Sequence, residues 1–177
     1  MRDLDKYAKK CMEDLDAIGI EYGHVVRFYS NNRARRWGQC KKLGGNWFEI
    51  QINAMLLDEK NDENGLINTI FHELLHTCKG CMNHGWEWQK LANEVYRAYG
   101  YNIKRTSSAE EKGLSEEAIQ ERARRVRYVL RCEGCGQIFK RERMCQLVEH
   151  PENYRCGNCR GKLVLLDDSV AQSIPAV

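Results

Sequence analysis

Two histidines and a glutamate fall at a spacing that could bind a metal ion and activate water. The segment 71–76 reads FHELLH, so His72 and His76 are four residues apart and Glu73 follows the first histidine. On a helix, residues four apart lie side by side, and two such imidazole rings can bind one zinc ion. Glu73 would lie about 100° round the helix from His72, where its carboxylate suits a general base.

A catalytic zinc site needs a third protein ligand and one open position. We expect His84, in the segment NHGWEW, because three of the five histidines of the chain fall between 72 and 84. Glu87 and Glu94 are the competing ligands, since a zinc site can also take a carboxylate from a downstream helix.

Cys78 and Cys81 lie between the second and third of these histidines. With His76 and His84 they could form a compact zinc site of their own. That arrangement would leave His72 and Glu73 without a role, so we interpret the two cysteines as free or redox-active thiols.

Four further cysteines form two Cys-x-x-Cys pairs, in the segments CEGCG and CGNCRG. The glycines let the backbone turn round a metal, and two pairs complete a tetrahedral zinc ribbon site. Such a site is structural because no position remains for a substrate. Cys145 and His150 lack paired spacing and are interpreted as bystanders. The predicted ligands are Cys132, Cys135, Cys156 and Cys159.

Hydrophobic spacing indicates the elements that must position these residues. Helical patterns predict helices over 3–18, 64–77 and 84–99, and a charged helix over 115–127. In the second of these, His72 and His76 point away from the apolar stripe. Residues 24–29 and 47–53 predict two strands, and the cationic segment between them predicts a loop or hairpin at one edge of the sheet.

Composition limits the class of protein. The 177 residues, 42% apolar and 30% charged, suit one compact domain with a small appendage and exclude a disordered chain. No apolar run approaches the length of about 20 residues that a bilayer span needs, and the first residues lack the apolar core of a secretion signal. The odd number of cysteines favours metal binding over a disulfide framework. We therefore expect a cytoplasmic monomer without a membrane partner.

Basic residues are concentrated in two stretches although the net charge is only +3. Residues 24–45 contain six cations and no acid, and a second basic stretch flanks the cysteine pairs. Both stretches could contact a polyanion such as DNA. The alternative is a solvated charged face, supported by nearby glutamates at helical spacing. The candidate nucleic-acid contacts are Arg33, Arg35, Arg36, Arg124, Arg125 and Arg127.

Three motifs together resemble the SprT-like zinc metallopeptidases, a family whose eukaryotic relative is the Spartan protease. They are RARRWGQC at 33–40, HELLH at 72–76 and HGWEW at 84–88, and the similarity covers about residues 5–166 with the cysteine module. The resemblance implies zinc on His72, His76 and His84, with Glu73 as the catalytic carboxylate.

We therefore predict an α+β protein with a zincin-like metallopeptidase domain and a small C-terminal zinc ribbon. Two zinc ions are expected per chain, one catalytic and one structural. The predicted boundaries are 1–105 for the peptidase domain, 106–125 for a polar linker and charged helix, 126–166 for the ribbon and 167–177 for a flexible tail.

The predicted function is a zinc-dependent endopeptidase that acts on a protein or peptide substrate. Zinc would polarise the scissile carbonyl and acidify a bound water, whose proton Glu73 takes. An extended substrate is expected to pair along the strand 47–53, and Arg36 and Tyr101 are candidates for stabilising the oxyanion.

Spartan cleaves proteins trapped on DNA, so the resemblance implies DNA-associated substrates. The rival hypothesis is a nucleic-acid-binding adaptor that keeps zinc for structure alone. The presence of Glu73 favours the peptidase, because a structural histidine site needs no acid there.

Overall fold

The computed structural model describes residues 1–32, 36–124 and 127–167. They belong to two compact units, Met1–Ser115 and Glu116–Val177. Helices and strands occur in both units, so the predicted α+β class is confirmed. In the described part of the chain, no helix has the length and apolar character needed to cross a membrane.

The first unit is a three-stranded sheet with helices packed on it. Its sheet has the order β1-β3-β2, in which β1 runs parallel to β3 and β2 runs antiparallel to it. Alternate residues of β3 point into the core, where they meet the apolar face of the second helix. The elements are α1 (Leu4–Ala17), β1 (His24–Asn31), β2 (Gly38–Gly44), β3 (Trp47–Asn53), a 3-10 turn (Ala54–Leu57), α2 (Glu63–Leu75) and α3 (Trp86–Tyr99).

The strand order corrects one prediction. Because β3 is the central strand, both of its edges are hydrogen-bonded to neighbouring strands, and the segment 47–53 has no edge for an extended substrate. The cationic segment before residue 47 is predicted to form a loop or hairpin at the sheet edge. It contains β2, which pairs with β3 in an antiparallel hairpin. Among the described residues β1 and β2 each pair with β3 alone, so both have an outer edge, and β2 is the edge strand whose Gly38 lies against Glu73.

Helix α2 carries the HELLH motif and begins at a side-chain cap. The Asp62 side chain accepts a hydrogen bond from the Asn64 backbone N–H at 2.9 Å, which satisfies one amide of the first turn. The helix ends at Leu75, slightly before the predicted end. His76 still has right-handed helical backbone angles, so His72 and His76 keep the spacing of adjacent turns.

Residues 101–115, which we call the strap, pack along α2. Towards the start of the helix, the Asp62 N–H donates to the Gly113 carbonyl oxygen at 2.8 Å, and the Ser115 N–H donates to Asn61 Oδ1 at 2.7 Å. The Trp37 indole N–H donates to the Ser107 carbonyl oxygen at 2.9 Å. Residues 106–115 of the expected linker therefore belong to the first unit, held by backbone groups that a polar composition does not reveal.

The strap and α2 approach most closely at Gly65. A Cβ atom added there would overlap the carbonyl oxygen of Lys112, a backbone atom that cannot swing aside. We expect Gly65→Ala to lower the free energy of unfolding by about 1–3 kcal/mol through overpacking, although alanine is the better helix former. Denaturant unfolding of the full chain measures this. Asn64→Ala, one residue earlier on the exposed side of α2, is the control and should change stability little; equal effects would contradict the close contact.

The second unit contains a small antiparallel sheet of order β5-β4-β6. Its core includes Cys132, Cys156 and Leu163, with Phe139 and Leu147 packed against them. The other buried apolar residues described in this unit are Val129, Leu130 and Val148, so the two buried cysteines are a large part of a small interior. The elements are α4 (Glu116–Arg124), β4 (Tyr128–Cys132), β5 (Ile138–Arg141), α5 (Gln146–Glu149), a 3-10 turn (Pro151–Asn153) and β6 (Leu163–Leu165). The predicted flexible tail lies, apart from its first residue, outside the described residues.

Candidate metal-binding sites

Three histidine rings converge in the first unit. His72 lies in the last turn of α2, His76 caps that helix, and His84 lies just before α3. Their ligand atoms all lie within 4.8 Å of one another, and His72 Nε2 is 3.0 Å from His84 Nε2. The structure thus brings together the three residues that the sequence predicts as one ligand set, in a cluster that could hold a metal ion.

Backbone carbonyls orient two of the three rings. The Nδ1–H of His72 donates to the Lys104 carbonyl oxygen at 3.0 Å, and that of His76 donates to the Cys81 carbonyl oxygen at 2.7 Å. A carbonyl oxygen only accepts, so each Nδ1 carries the hydrogen and each Nε2 keeps its lone pair. Second-sphere bonds of this kind fix the tautomer of metal-binding histidines. The donor set therefore fits zinc, which favours imidazole nitrogen.

Burial keeps the three imidazoles neutral. It lowers the pKa of His72 to about 3, with the neighbouring His76 and His84 adding to the effect. Burial is also the main cause of the lowered pKa of His76 and of His84. Neutral imidazole is the form that binds a metal ion, so the electrostatics of the cluster favour a cation.

Trp88 packs against all three histidines. It is 2% exposed, and its ring centroid lies 4.9 Å from that of His72, 5.8 Å from His76 and 4.7 Å from His84. This ring holds the imidazoles in place from one side. Our sequence reasoning missed it. The available signal was its place in the HGWEW segment, which contains His84 and the start of α3.

Glu73 is enclosed beside the cluster. It is 5% exposed, and a Cβ added to Gly38 of β2 would lie 2.5 Å from its Oε1, so only glycine fits there. Burial raises the pKa of Glu73 to about 7, opposed by the Cys40 backbone and by the charges of Lys112 and Arg36. The carboxylate is therefore bordered by the edge strand β2, and the positive charges of Lys112 and Arg36 favour its ionised form.

The competing ligands lie outside this cluster. Within the described residues, the groups that could hold a metal ion contain neither Glu87 nor Glu94, nor the pair Cys78 and Cys81. Burial raises the pKa of Cys78 to about 12 and also raises that of Cys81, which disfavours the thiolate form that binds metal. Cys81 contributes instead its carbonyl oxygen, the acceptor for His76.

Four cysteines converge in the second unit. Cys132 Sγ lies 3.4 Å from Cys159 Sγ, and Cys135 Sγ lies 3.6 Å from Cys156 Sγ. All four sulfurs lie within 4.8 Å of one another, as a closed metal site requires. Gly161 allows the approach, since a Cβ there would lie 2.8 Å from Cys132 Sγ. The cluster is consistent with zinc, and Cys145 and His150 lie outside it.

Comparison with known proteins agrees with the motifs. The SprT-like family model matches residues 7–107, which include the histidine cluster and Glu73. The chain belongs to the SprT-like family. The resemblance inferred from the three motifs is thereby confirmed.

Bacterial relatives extend the SprT-like similarity beyond the first unit. A Protein SprT-like of Staphylococcus carnosus (strain TM300) is 31% identical over 153 residues, covering 84% of this chain and 85% of the relative. Another, of Streptococcus suis (strain 05ZYH33), is 29% identical over 167 residues, covering 92% of this chain and 98% of the relative. A third, of Lactococcus lactis subsp. lactis (strain IL1403), is 24% identical and covers 73% of this chain and 78% of the relative.

The two oxyanion candidates of this SprT-like chain lie in different places. The Tyr101 ring packs on Phe71 at 5.5 Å between centroids, and Phe71 belongs to the buried apolar face of α2 rather than to the histidine face. The charge of Arg36 acts on Glu73. Arg36 is therefore the better placed of the two.

The predicted nucleic-acid contacts are described only in part. Arg33, Arg35 and Arg125 lie outside the described residues, and only the backbone of Arg124 is described. Arg36 and Arg127 are exposed. A nucleic-acid contact at these six positions stays a prediction.

We expect the cysteine cluster to depend on every one of its sulfurs. Cys132→Ser removes a buried ligand, so the second unit should lose its zinc and, with it, most of its folding free energy, because its apolar core is so small. Zinc analysis of the purified full chain should find one ion fewer than in the wild type. Cys145→Ser is the matched control, since Cys145 lies outside the cluster. Unchanged zinc in Cys132→Ser would contradict the assignment.

Proposed function

We propose that this SprT-like chain is a zinc-dependent endopeptidase with a zincin-like first unit. The observation that carries the proposal is the three-histidine cluster with Glu73 buried beside it. A purely structural metal site needs no carboxylate at this place, whereas peptide hydrolysis needs a base next to the metal.

His72, His76 and His84 would hold the metal in the first unit. Zinc bound there supplies a Lewis acid that polarises a carbonyl and acidifies water. The protein keeps two of the rings oriented through the carbonyl oxygens of Lys104 and Cys81, and Trp88 restrains all three. Three protein ligands leave a position for solvent or substrate, as catalytic zinc sites do.

Glu73 would move the proton. Its carboxylate accepts a proton from the attacking water and donates it to the leaving amine nitrogen. Enclosure by Gly38 restricts the carboxylate to few orientations, which favours a fixed geometry for proton transfer. Arg36 supplies a positive charge near this position that could stabilise a developing oxyanion.

An extended substrate would pair with the outer edge of β2. Gly38 and Cys40 of this strand border Glu73, so a chain added there would bring its backbone next to the carboxylate. Backbone pairing gives affinity with little dependence on sequence, so we expect broad specificity for unfolded protein segments. The experiment is digestion of denatured casein by the zinc-loaded full chain; no cleavage at any enzyme concentration would contradict the proposal.

A nucleic-acid-binding role is the second candidate function. Exposed arginines lie near the cysteine cluster, among them Arg131, Arg155 and Arg160, and such residues suit phosphate contacts. We propose that DNA is a partner and that DNA-associated proteins are substrates. Binding of single-stranded DNA that weakens with rising salt would support this. DNA binding without any proteolysis would favour the adaptor hypothesis. The cytoplasmic location and the monomeric state stay predictions.

A further inference from the structure

Trp37 belongs to the RARRWGQC motif, and the mechanism above gives it no role. Its backbone is held at the end of the sheet by Asn53, which is 1% exposed. The Asn53 N–H donates to the Trp37 carbonyl oxygen at 2.8 Å, and Asn53 Nδ2 donates to the Arg36 carbonyl oxygen at 3.2 Å. The next residue is Gly38, which lies against Glu73. Trp37 is thus fixed immediately before β2, beside the strand that borders the proposed base.

The indole ring of Trp37 reaches the strap. Its Nε1–H donates to the Ser107 carbonyl oxygen at 2.9 Å, although the two residues are 70 positions apart in the chain. The ring is half-buried, and a hydrogen bond shielded from water is electrostatically stronger than an exposed one. The side chain of tryptophan has no polar group besides this donor. Its polar contact with the protein is therefore directed at the strap.

The part of the strap that the indole contacts is closed by local hydrogen bonds. The Glu111 carboxylate accepts from Lys104 Nζ at 2.6 Å and from the Ser108 N–H at 3.0 Å. In return, the Glu111 N–H donates to Ser108 Oγ at 3.2 Å. Residues 104–111 therefore form one connected turn, so a displacement of Ser107 is passed on to Lys104.

This turn ends at the histidine cluster. The Lys104 carbonyl oxygen accepts the Nδ1–H of His72 at 3.0 Å, and this bond leaves the other ring nitrogen free for a metal ion. The hydrogen bonds of Asp62 and Asn61 hold the strap at the opposite end of α2. Trp37 is therefore linked through the strap to the carbonyl group that orients His72.

We propose that Trp37 is a positioning residue for His72. Its indole N–H holds the strap so that the Lys104 carbonyl oxygen orients the imidazole for metal binding. The inference rests on the metal site of the proposed function and not on cleavage itself. Loss of a group that orients a metal-binding histidine weakens metal binding by about 10- to 100-fold. Because Trp37 acts through the strap, we expect the lower end of this range.

Zinc affinity, measured on the full chain by competition with a chelator, tests the proposal. Trp37→Phe keeps an aromatic ring and removes the donor. It should weaken zinc binding in the first unit by about tenfold and leave the zinc of the cysteine cluster unaffected. His76→Ala, which should lack the first-unit ion, identifies which of the two ions is released.

Trp47→Phe is the matched control, because Trp47 is 54% exposed at the start of β3. It should leave both zinc affinities unchanged. Equal affinities in Trp37→Phe and Trp47→Phe, or an equal loss at both zinc sites of Trp37→Phe, would overturn the proposal.

Glu111→Ala tests the same path from the strap. Glu111 is exposed, so this variant should fold even if Trp37→Phe does not. Loss of its bonds to Lys104 and Ser108 should also weaken zinc binding in the first unit alone. Glu13→Ala is the control, because it removes an exposed glutamate from an ion pair on α1. A wild-type affinity in Glu111→Ala would contradict the path through the strap.

Hydrogen exchange of the full chain does not depend on what the first unit binds. In the wild type, the Trp37 indole N–H should exchange with solvent more slowly than those of the exposed Trp47 and Trp86, because it is hydrogen-bonded. In Trp37→Phe, the amides of the strap should exchange faster, and those of β6 should not change.

This measurement separates the inference from the proposed function. If the wild type holds zinc at the cysteines alone, the proposed function fails, and the exchange rates still decide whether Trp37 holds the strap. A Trp37 indole N–H that exchanges as fast as that of Trp47 would overturn the proposal in either case.

Discussion

Glu73→Gln is expected to reduce peptide bond cleavage by about 10²- to 10⁴-fold, the usual contribution of a positioned general base. Glutamine has nearly the same shape, so it fits beneath Gly38, but it cannot accept the proton of the attacking water. The histidine nitrogens are untouched, so zinc content should equal that of the wild type. The measurements are the cleavage rate of denatured casein and the zinc content of the same preparation.

Glu87→Gln is the matched control for this substitution. Glu87 is an exposed carboxylate at the start of α3 and lies outside the histidine cluster. Its loss should leave both cleavage and zinc content unchanged. Equal cleavage by Glu73→Gln and the wild type would contradict the role of Glu73, and loss of zinc in Glu87→Gln would restore the competing ligand set.

His76→Ala is expected to remove zinc from the first unit and, with it, all measurable cleavage. His76 is the most deeply buried histidine of the cluster, and its ring is fixed by the hydrogen bond to the Cys81 carbonyl oxygen. Two remaining nitrogens do not complete a catalytic zinc site, which takes three protein ligands. Zinc per chain should fall from two to one, because the cysteine cluster is a separate site. Metal analysis by mass spectrometry checks this number.

His24→Ala is the control, since His24 is exposed on β1 and lies outside the cluster. It should retain two zinc ions and full activity. Retention of two ions by His76→Ala would contradict the assignment of this residue as a ligand.

Local patterns in the sequence were sufficient to predict which histidines and which cysteines cluster. His72 and His76 are four residues apart, so on a helix their side chains lie side by side. The apolar stripe of α2 shows which side of the helix is buried. The paired cysteines are similarly local, because each Cys-x-x-Cys turn brings two sulfurs together without reference to the rest of the fold. Joining His84 to the first two required only that the connection to α3 be short.

Long-range packing accounts for what the sequence did not reveal. The order of strands is one example. The cationic composition of the segment before β3 predicts a place at the sheet edge, but β2 reads GQCKKLG, without regular alternation, so nothing local shows that it is a strand that makes β3 central. The strap is another example, because it is held through carbonyl and amide groups that every residue possesses. The burial of Lys112, whose carbonyl oxygen abuts Gly65, follows from that docking.

Diffraction from a crystal of the zinc-loaded full chain at the zinc absorption edge is the most direct test of the account. We predict two anomalous peaks. One should lie about 2.0–2.1 Å from the Nε2 atoms of His72, His76 and His84, with no sulfur bound, and the other about 2.3 Å from the four cysteine sulfurs. A single peak at the cysteines, or a first-unit peak bound by Cys78 or Cys81, would contradict it.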